Sequence, residues 1–429
     1  MMAGSVALII FAGTLYLVFS EKLNRTIVST AGAVSMVAAG LILGFYSEEQ
    51  AVGSVDVETL GLLLGMMILV ALLEPTGFFQ YLAVQAARFS KGRPIRLLVL
   101  LGTVTTILSM FLDNVTTVVL IAPVTILISE ILGINPSPFL ISEALLSNTG
   151  GIATLVGDPP NVLIASASGL VFIDFLTHSL PIMLVAWFAA LFTLRTLFRR
   201  ELAEAPANAE AIQSLDPAAA LDDWKTARKV LIVLGFAILF LFLEKFLHVS
   251  PAFIALCAAT AALVWVRPDI RKTLERVEWS VLVFFTALFV LVGGLGSAGV
   301  LHVVTNLILH LRDANPMALG VGLLWLVAAL SAVVDNVPIT IAFIPVILEL
   351  GTNGMNIAPL WWALAFGAGL GGNGTIIGST ANVVVASLSE RTRTPITSAL
   401  WNKRGLPVML VTLVVTSILY LIAYPYYAR

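Results

Sequence analysis

Two short strings set a carboxylate in the middle of apolar sequence: Asp113-Asn114-Val115-Thr116-Thr117 and Asp335-Asn336-Val337-Pro338-Ile339-Thr340. A charged side chain is costly to bury unless it meets a partner. A helix cap would supply one, because an Asp side chain accepts the orphan N–H groups of the helix that follows. Capping needs only Ser or Asn, however, and those desolvate far less charge, so Asp at both positions points to an ion pathway or a proton relay. Asp113 and Asp335 are the candidate proton-coupling residues, with Asn114, Thr116, Thr117, Asn336 and Thr340 beside them as candidate ligands.

Two longer strings carry the rest of the candidate site, Asn148 to Asn161 and Gly371 to Asn382. Their paired glycines, and Pro159-Pro160 in the first, cannot sustain an uninterrupted helix. Unwinding frees carbonyls to ligate a cation and N–H groups to meet an anion. Close helix packing explains the glycines, but not the polar residues among them. The candidates here are Asn148, Gly150, Gly151, Thr154, Asp158 and Asn161, then Gly372, Asn373, Thr375 and Asn382.

Other polar residues carry less. Glu130, Glu143 and Glu349 fall near predicted membrane borders, where a solvated carboxylate is expected. His178, His248, His302 and His310 fall at element ends or on amphipathic pieces, and the single Cys257 reads as an apolar filler. No metal site is expected, and no nucleophile–base pair at credible spacing suggests an enzyme or a cofactor.

The elements that must position these residues are membrane spans. Of 429 residues 59% are hydrophobic and 11% charged, against about 25% charged in a soluble domain. About eleven runs are long and apolar enough to cross a bilayer, some of them interrupted. They read as 4–20, 26–45, 57–73, the short pair 95–112 and 115–132, the interrupted 139–170, and 179–198; then 229–247, 251–266, 279–295, the short pair 317–334 and 337–350, the interrupted 357–388, and 406–425. Met1 to Phe19, with no basic leader, reads as a retained first helix. Residues 78–90 and 300–311 read as amphipathic interfacial connectors. The polar stretch 199–228 reads as an exposed cytoplasmic tether between halves 1–198 and 229–429. With both termini outside, all of the 23 Lys and Arg except Lys245, Arg312 and Arg429 fall on the cytoplasmic side, the bias expected of a prokaryotic inner-membrane protein. No basic tract suggests nucleic acid.

Sliding the second half back by about 222 residues superposes the motifs. Asp113-Asn114-Val115 falls on Asp335-Asn336-Val337 and Pro123 on Pro345; one residue less brings Gly151, Thr154, Gly157 and Asn161 onto Gly372, Thr375, Gly378 and Asn382. Val55-Asp56 and its mate Val277-Glu278 then begin spans running in opposite directions, so the repeats are inverted. The short pairs become re-entrant hairpins with tips near 113–117 and 335–340, and the broken helices 148–161 and 371–382 meet them at mid-membrane. The fold class expected is an all-α polytopic membrane protein.

At these motifs the sequence resembles the ion transporter superfamily, in the branch holding arsenite/antimonite efflux permeases, the pink-eyed dilution P protein and related sodium/proton antiporters. Phe111-Leu-Asp-Asn-Val-Thr-Thr, Ala122-Pro-Val-Thr and Gly157-Asp-Pro-Pro-Asn161 carry the resemblance, which covers nearly the whole chain. It implies inverted repeats, two hairpins, two unwound helices, a scaffold that dimerises and elevator-like movement. Citrate and dicarboxylate members carry Ser-Asn-Thr at each tip, where this chain has Asp-Asn-Val; Ser147-Asn148-Thr149 lies in the following helix and reads as coincidental. Two tip carboxylates would repel a dianion. The leading expectation is therefore arsenite/antimonite efflux driven by inward proton movement, with a sodium/proton antiporter as the alternative and another anion carrier or a channel behind it. The partners expected are a small inorganic solute, protons or Na⁺, the lipid bilayer, a second copy of the chain and, for an arsenite pump, an ATPase subunit.

Overall fold

The computed structural model describes residues 2–19, 23–203, 206, 208, 210–300 and 315–428, which form helices and turns and no strand. The first half runs α1 (Met2–Phe19), α2 (Arg25–Leu43), the short α3 (Glu48–Gly53), α4 (Val57–Leu73) and the connecting α5 (Phe78–Ser90). The hairpin α6 (Pro94–Ser109) and α7 (Asn114–Leu132) follows, then the broken pair α8 (Ser137–Gly151) and α9 (Pro159–Ser168), then α10 (Leu180–Leu197). The second half has the same order: α11 (Trp224–Leu247), α12 (Pro251–Val266), α13 (Ile270–Glu275), α14 (Trp279–Ser297), the hairpin α15 (Pro316–Ser331) and α16 (Asn336–Thr352), the broken α17 (Ala358–Gly371) and α18 (Thr380–Ser389), and α19 (Ser398–Tyr427).

Local chemistry sets many of the boundaries. Asn24 and Asp56 accept the first N–H groups of α2 and α4, and Ser47 with Gln50 forms a reciprocal capping box on α3, which satisfies donors the helix itself leaves orphaned. Pro94, Pro251 and Pro316 open helices where the missing N–H costs nothing. Seven helices among the described residues are long and apolar enough to cross a membrane, Arg25–Leu43, Val57–Thr76, Asn114–Leu132, Phe172–Leu197, Trp224–Leu247, Trp279–Ser297 and Ser398–Tyr427. The remaining expected spans are the hairpin and broken-helix pieces, together with α1 and α12, whose apolar stretches Met2–Val18 and Pro251–Val266 are shorter than the seven. Ile42, Phe246 and Ile422 are 83%, 81% and 71% exposed, a display of large side chains that suits lipid rather than water.

The helices form two groups. In the first, α4 packs on α12, α14 on α2, α1 on α2 and α11 on α12. In the second, each hairpin closes on its own broken helix, α6 on α8 and α15 on α17, and the second pieces cross over, α9 onto α16 and α18 onto α7. Every residue of α8 and every residue of Pro359–Gly371 is buried. The two broken helices are thus the axis of this bundle. Among the described residues the broader contacts between the groups are α14 with α16, α4 with α9, and α11 with the turn Phe172–Asp174.

Two sequence expectations change. Glu143 is fully buried in α8, its carboxylate accepting a 2.5 Å hydrogen bond from Thr125 Oγ1; every residue of α8 is buried, so none reaches a solvated border. The polar stretch is not a loose tether. Leu202, Ile212 and Pro217 are buried, Arg404 binds Glu201 at 2.7 Å and stacks over Phe198, and Asp222 N–H donates to Thr76 O at 2.9 Å. Gly77 has φ +76° and a Cβ there would strike the Ala220 carbonyl, so only glycine accommodates the strap. The amphipathic reading of 78–90 corresponds to α5, which packs on α6, α7 and this strap. The second connector lies outside the described residues apart from Val300, as do Lys22, His302, His310, Arg312 and Arg429.

Candidate ion and substrate site

Both tip aspartates do cap. Asp113 Oδ2 accepts Val115 N–H at 3.0 Å and Thr116 N–H at 3.1 Å, and Asp335 Oδ1 accepts Val337 N–H at 3.3 Å. Each has a further task. Asp335 Oδ2 receives Arg25 Nη1 at 3.1 Å and Thr380 Oγ1 at 2.6 Å, and the same Arg25 nitrogen donates to Thr380 Oγ1 at 2.8 Å. Thr116 Oγ1, beside Asp113, donates to Glu278 Oε1 at 3.2 Å. Asp158, at the start of α9, accepts both bonds from Asn336 Nδ2, at 2.9 and 3.2 Å. One half's broken helix therefore holds the other half's hairpin tip.

Beneath these residues the repeats are superposable bond by bond. Ser109 Oγ donates to Ser147 O at 2.8 Å and Ser331 Oγ to Ala368 O at 2.6 Å. Thr154 Oγ1 donates to Met110 O, and Thr375 Oγ1 to Ala332 O. Asn161 Nδ2 donates to Gly151 O and Thr154 O at 3.0 and 2.7 Å, and Asn382 Nδ2 to Gly372 O and Thr375 O at 2.7 and 2.9 Å. These bonds satisfy carbonyls that unwinding exposes, which is the condition for irregular backbone at this depth.

The symmetry then fails at chosen positions. Asp158 has Ser379 as its mate. Asn148 and Asn373, hydrogen-bonded at 3.0 Å, have as mates Gly369 and Ile152, which touch one another. Polar pairing thus lies on one side of the two-fold axis and apolar contact on the other. Asn148 is saturated by Asn373, Asn382 and Ser379, and its neighbour Ser147 bonds with Ser109, so the Ser147-Asn148-Thr149 string belongs to the bundle's polar centre.

A cavity of about 330 Å³ opens where the two helix groups meet. Of the sequence candidates, Asp113, Asn114, Thr116, Asp158, Asp335 and Asn336 line it. Asn148, Gly151, Thr154, Asn161, Gly372, Asn373, Thr375 and Asn382 brace its floor. Gly150 lets α8 close on Thr106, while Thr117 and Thr340 are buried outside the lining, Thr340 bonded to Asn336 O at 2.9 Å. The sequence reading missed Arg25, Glu74, Arg276, Glu278, Ser379 and Thr380, which also line it. Glu278 and Ser379 carried a signal, since the repeat puts them opposite Asp56 and Asp158.

The cavity is acidic. Asp113, Asp158, Asp335 and Glu278 face it against Arg25, because Arg276 is occupied by Glu74 at 3.1 Å. Backbone oxygens converge below: a Cβ at Gly157 would lie 2.6 Å from both Gly151 O and Ser109 O, and one at Gly378 would lie 2.7 Å from Gly372 O and 2.9 Å from Ser331 O. The backbone thus closes on itself in two tight cradles, where Gly151 O and Gly372 O are already bonded to Asn161 and Asn382. Among the described residues no three acidic, histidine or cysteine side chains stand close enough together to hold a metal ion, so the acids ring the space rather than chelate.

Residues 15–367 match the family model described as citrate transporter (CitMHS). An uncharacterised transporter of Mycobacterium tuberculosis is 37% identical over 425 residues, covering 96% of this chain and 97% of its own. The human P protein is 34% identical over 98% of this chain, which spans 60% of that protein. Among solved structures, the Alcanivorax borkumensis YdaH transporter has a TM-score of 0.64 at 15% identity, covering 91% of this chain and 90% of its own. Neisseria gonorrhoeae MtrF, of a class described as antimetabolite efflux pumps, has 0.62 at 11%, over 98% and 94%. With its helical fold, inverted halves and broken helices, this chain is a multi-pass membrane transporter that belongs to the CitMHS citrate transporter family of the ion transporter superfamily.

Proposed function

We infer that the protein is a cation/proton antiporter, in which Na⁺ or a similar hard cation and protons compete for the acidic cavity. The observation that carries this is the excess of carboxylates, Asp113, Asp158, Asp335 and Glu278 against Arg25, which is itself paired with Asp335, while Arg276 is held by Glu74. Like charges at this spacing favour an incoming cation or proton over an anion, which argues against free citrate despite the family's description. Arsenite efflux loses ground for a different reason. A neutral arsenic hydroxide needs free amides and hydroxyls, and Asn148, Asn161, Asn373 and Asn382 are already bonded to one another or to backbone. Arg25, Arg276 and Glu278 come from the loops that the positive-inside rule puts in the cytoplasm, so the cavity faces inward.

Everted vesicles carrying the chain test this. Addition of NaCl should dissipate a preformed acid-inside gradient, and Asp158→Asn should reduce that flux about a hundredfold while the protein still inserts. A gradient insensitive to Na⁺, Li⁺ and K⁺ alike, together with arsenite uptake driven by the same gradient, would reinstate the arsenite reading.

A further inference from the structure

Arg25 belongs to one helix group and its partners to the other. It opens α2, and its guanidinium lies 5.4 Å from the centre of the Phe284 ring of α14, so both its root and its packing surface are on the α2/α14 wall. Its nitrogen, however, reaches Asp335 on the tip of the second hairpin and Thr380 at the start of α18. Among the described residues this is the ion pair that joins the two groups; Arg276–Glu74 and Arg404–Glu201 each stay on one side. The surrounding wall offers Leu63, Met67, Val70 and Val281, which impose no register of their own.

The pair is also a partition. A second cavity, of about 290 Å³, lies against Leu23, Val333, Val334 and Pro338, and shares Arg25, Phe284, Asp335 and Thr380 with the first. The charged groups around Asp335 are Arg25 from α2, Glu278 from α14, Asp113 from the first tip and Asp158 from α9. Three are acids, and among the described residues Arg25 is the positive charge that meets Asp335, Arg276 being held by Glu74.

We propose that Arg25 is a tethered counter-cation: its guanidinium holds the place at Asp335 that a transported cation or proton must take, and the second hairpin leaves the α2/α14 wall only after that exchange. This rests on the antiporter reading and adds the residue that makes exchange obligatory. An empty carrier stays latched, because parting Arg25 from Asp335 with nothing in its place leaves two charges unpaired in a half-buried interface. A loaded carrier is free, since the acid is already neutralised. Arg25 is a positioning residue that acts through Asp335.

The test is backbone hydrogen exchange of residues 331–341 in the full-length chain in nanodiscs, in choline chloride at neutral pH. Arg25→Gln and Asp335→Asn should each speed exchange of the tip about tenfold, and the double variant should go no further than either, the signature of one shared interaction. Arg25→Lys, which keeps the charge, should lie between them and the wild type. Replacing choline by Na⁺ should speed the wild type and leave Arg25→Gln unchanged. A tip within twofold of wild type in Arg25→Gln, or effects of the two substitutions that multiply, overturns the proposal. Should Arg25→Gln fail to fold, a tip that ignores both Na⁺ and Asp335→Asn overturns it equally. No transport is measured, so failure here is separate from failure of the vesicle flux.

Discussion

A carboxylate that only caps a helix and one that also serves an ion differ in what its second oxygen does. Asp113 gives Oδ2 to Val115 and Thr116, and Asp335 gives Oδ1 to Val337 and Oδ2 to Arg25 and Thr380. The two roles separate by substitution. Asp113→Asn preserves the cap, because Asn is as good an N-cap as Asp; its thermal unfolding in detergent should stay near wild type while coupled flux is lost. Asp113→Ala should lose both, with about 1 kcal/mol of stability gone with the cap. If Asp113→Asn transports like the wild type, Asp113 is a cap and nothing more. The tip acids were legible in the sequence because a charge inside an apolar run needs a reason. Arg25 was not, since an arginine at the start of a span looks like any other retained by the positive-inside rule, and only the folded chain brings it to a tip 310 residues away.

At the scale of elements, the broken helices hold their shape through matched backbone contacts. A methyl group at Gly157 would press on two carbonyl oxygens at 2.6 Å, and neither belongs to a flexible side chain. Gly157→Ala should therefore abolish transport and lower the unfolding temperature in detergent. Gly235→Ala, where a Cβ meets nothing within 4 Å in the middle of α11, should be neutral or stabilise by up to about 1 kcal/mol. Equal behaviour of the two variants would show that the cradle is not tight. Most of the spans, hairpins and breaks were readable to within a few residues because length, Pro and Gly impose them locally, though α19 starts at Ser398 rather than at 406. The strap was not. Its buried residues Leu202, Ile212 and Pro217 follow no helical or strand period, and the pieces that hold them pack on α6, on α5 and α7, and on α5 in turn. Glu143 escaped for a related reason: its hydrophobic neighbours suggested a border, and only the packing of α7 on α8 shows an interior.

For the whole molecule, duplication explains why one half's bonds can be read off the other's, from Ser109 and Ser331 to Asn161 and Asn382. Two identical inverted halves would form a carrier with no preferred orientation, resting equally often open to either side. Here one half has Asp158 and the other Ser379 at the same place, and Asp158 alone grips the opposite tip through Asn336. The exchange Asp158→Ser with Ser379→Asp should reverse the resting orientation. In a Cys257→Ser background, a cysteine at Val119, which lines the cavity, should be labelled by a membrane-impermeant thiol reagent from the cytoplasmic face before the exchange and from the opposite face after it. Labelling from the same face in both would refute the idea. On this account one acid-for-serine difference between two copies of an ancestral half gives the carrier a home position, and so a direction in which it waits.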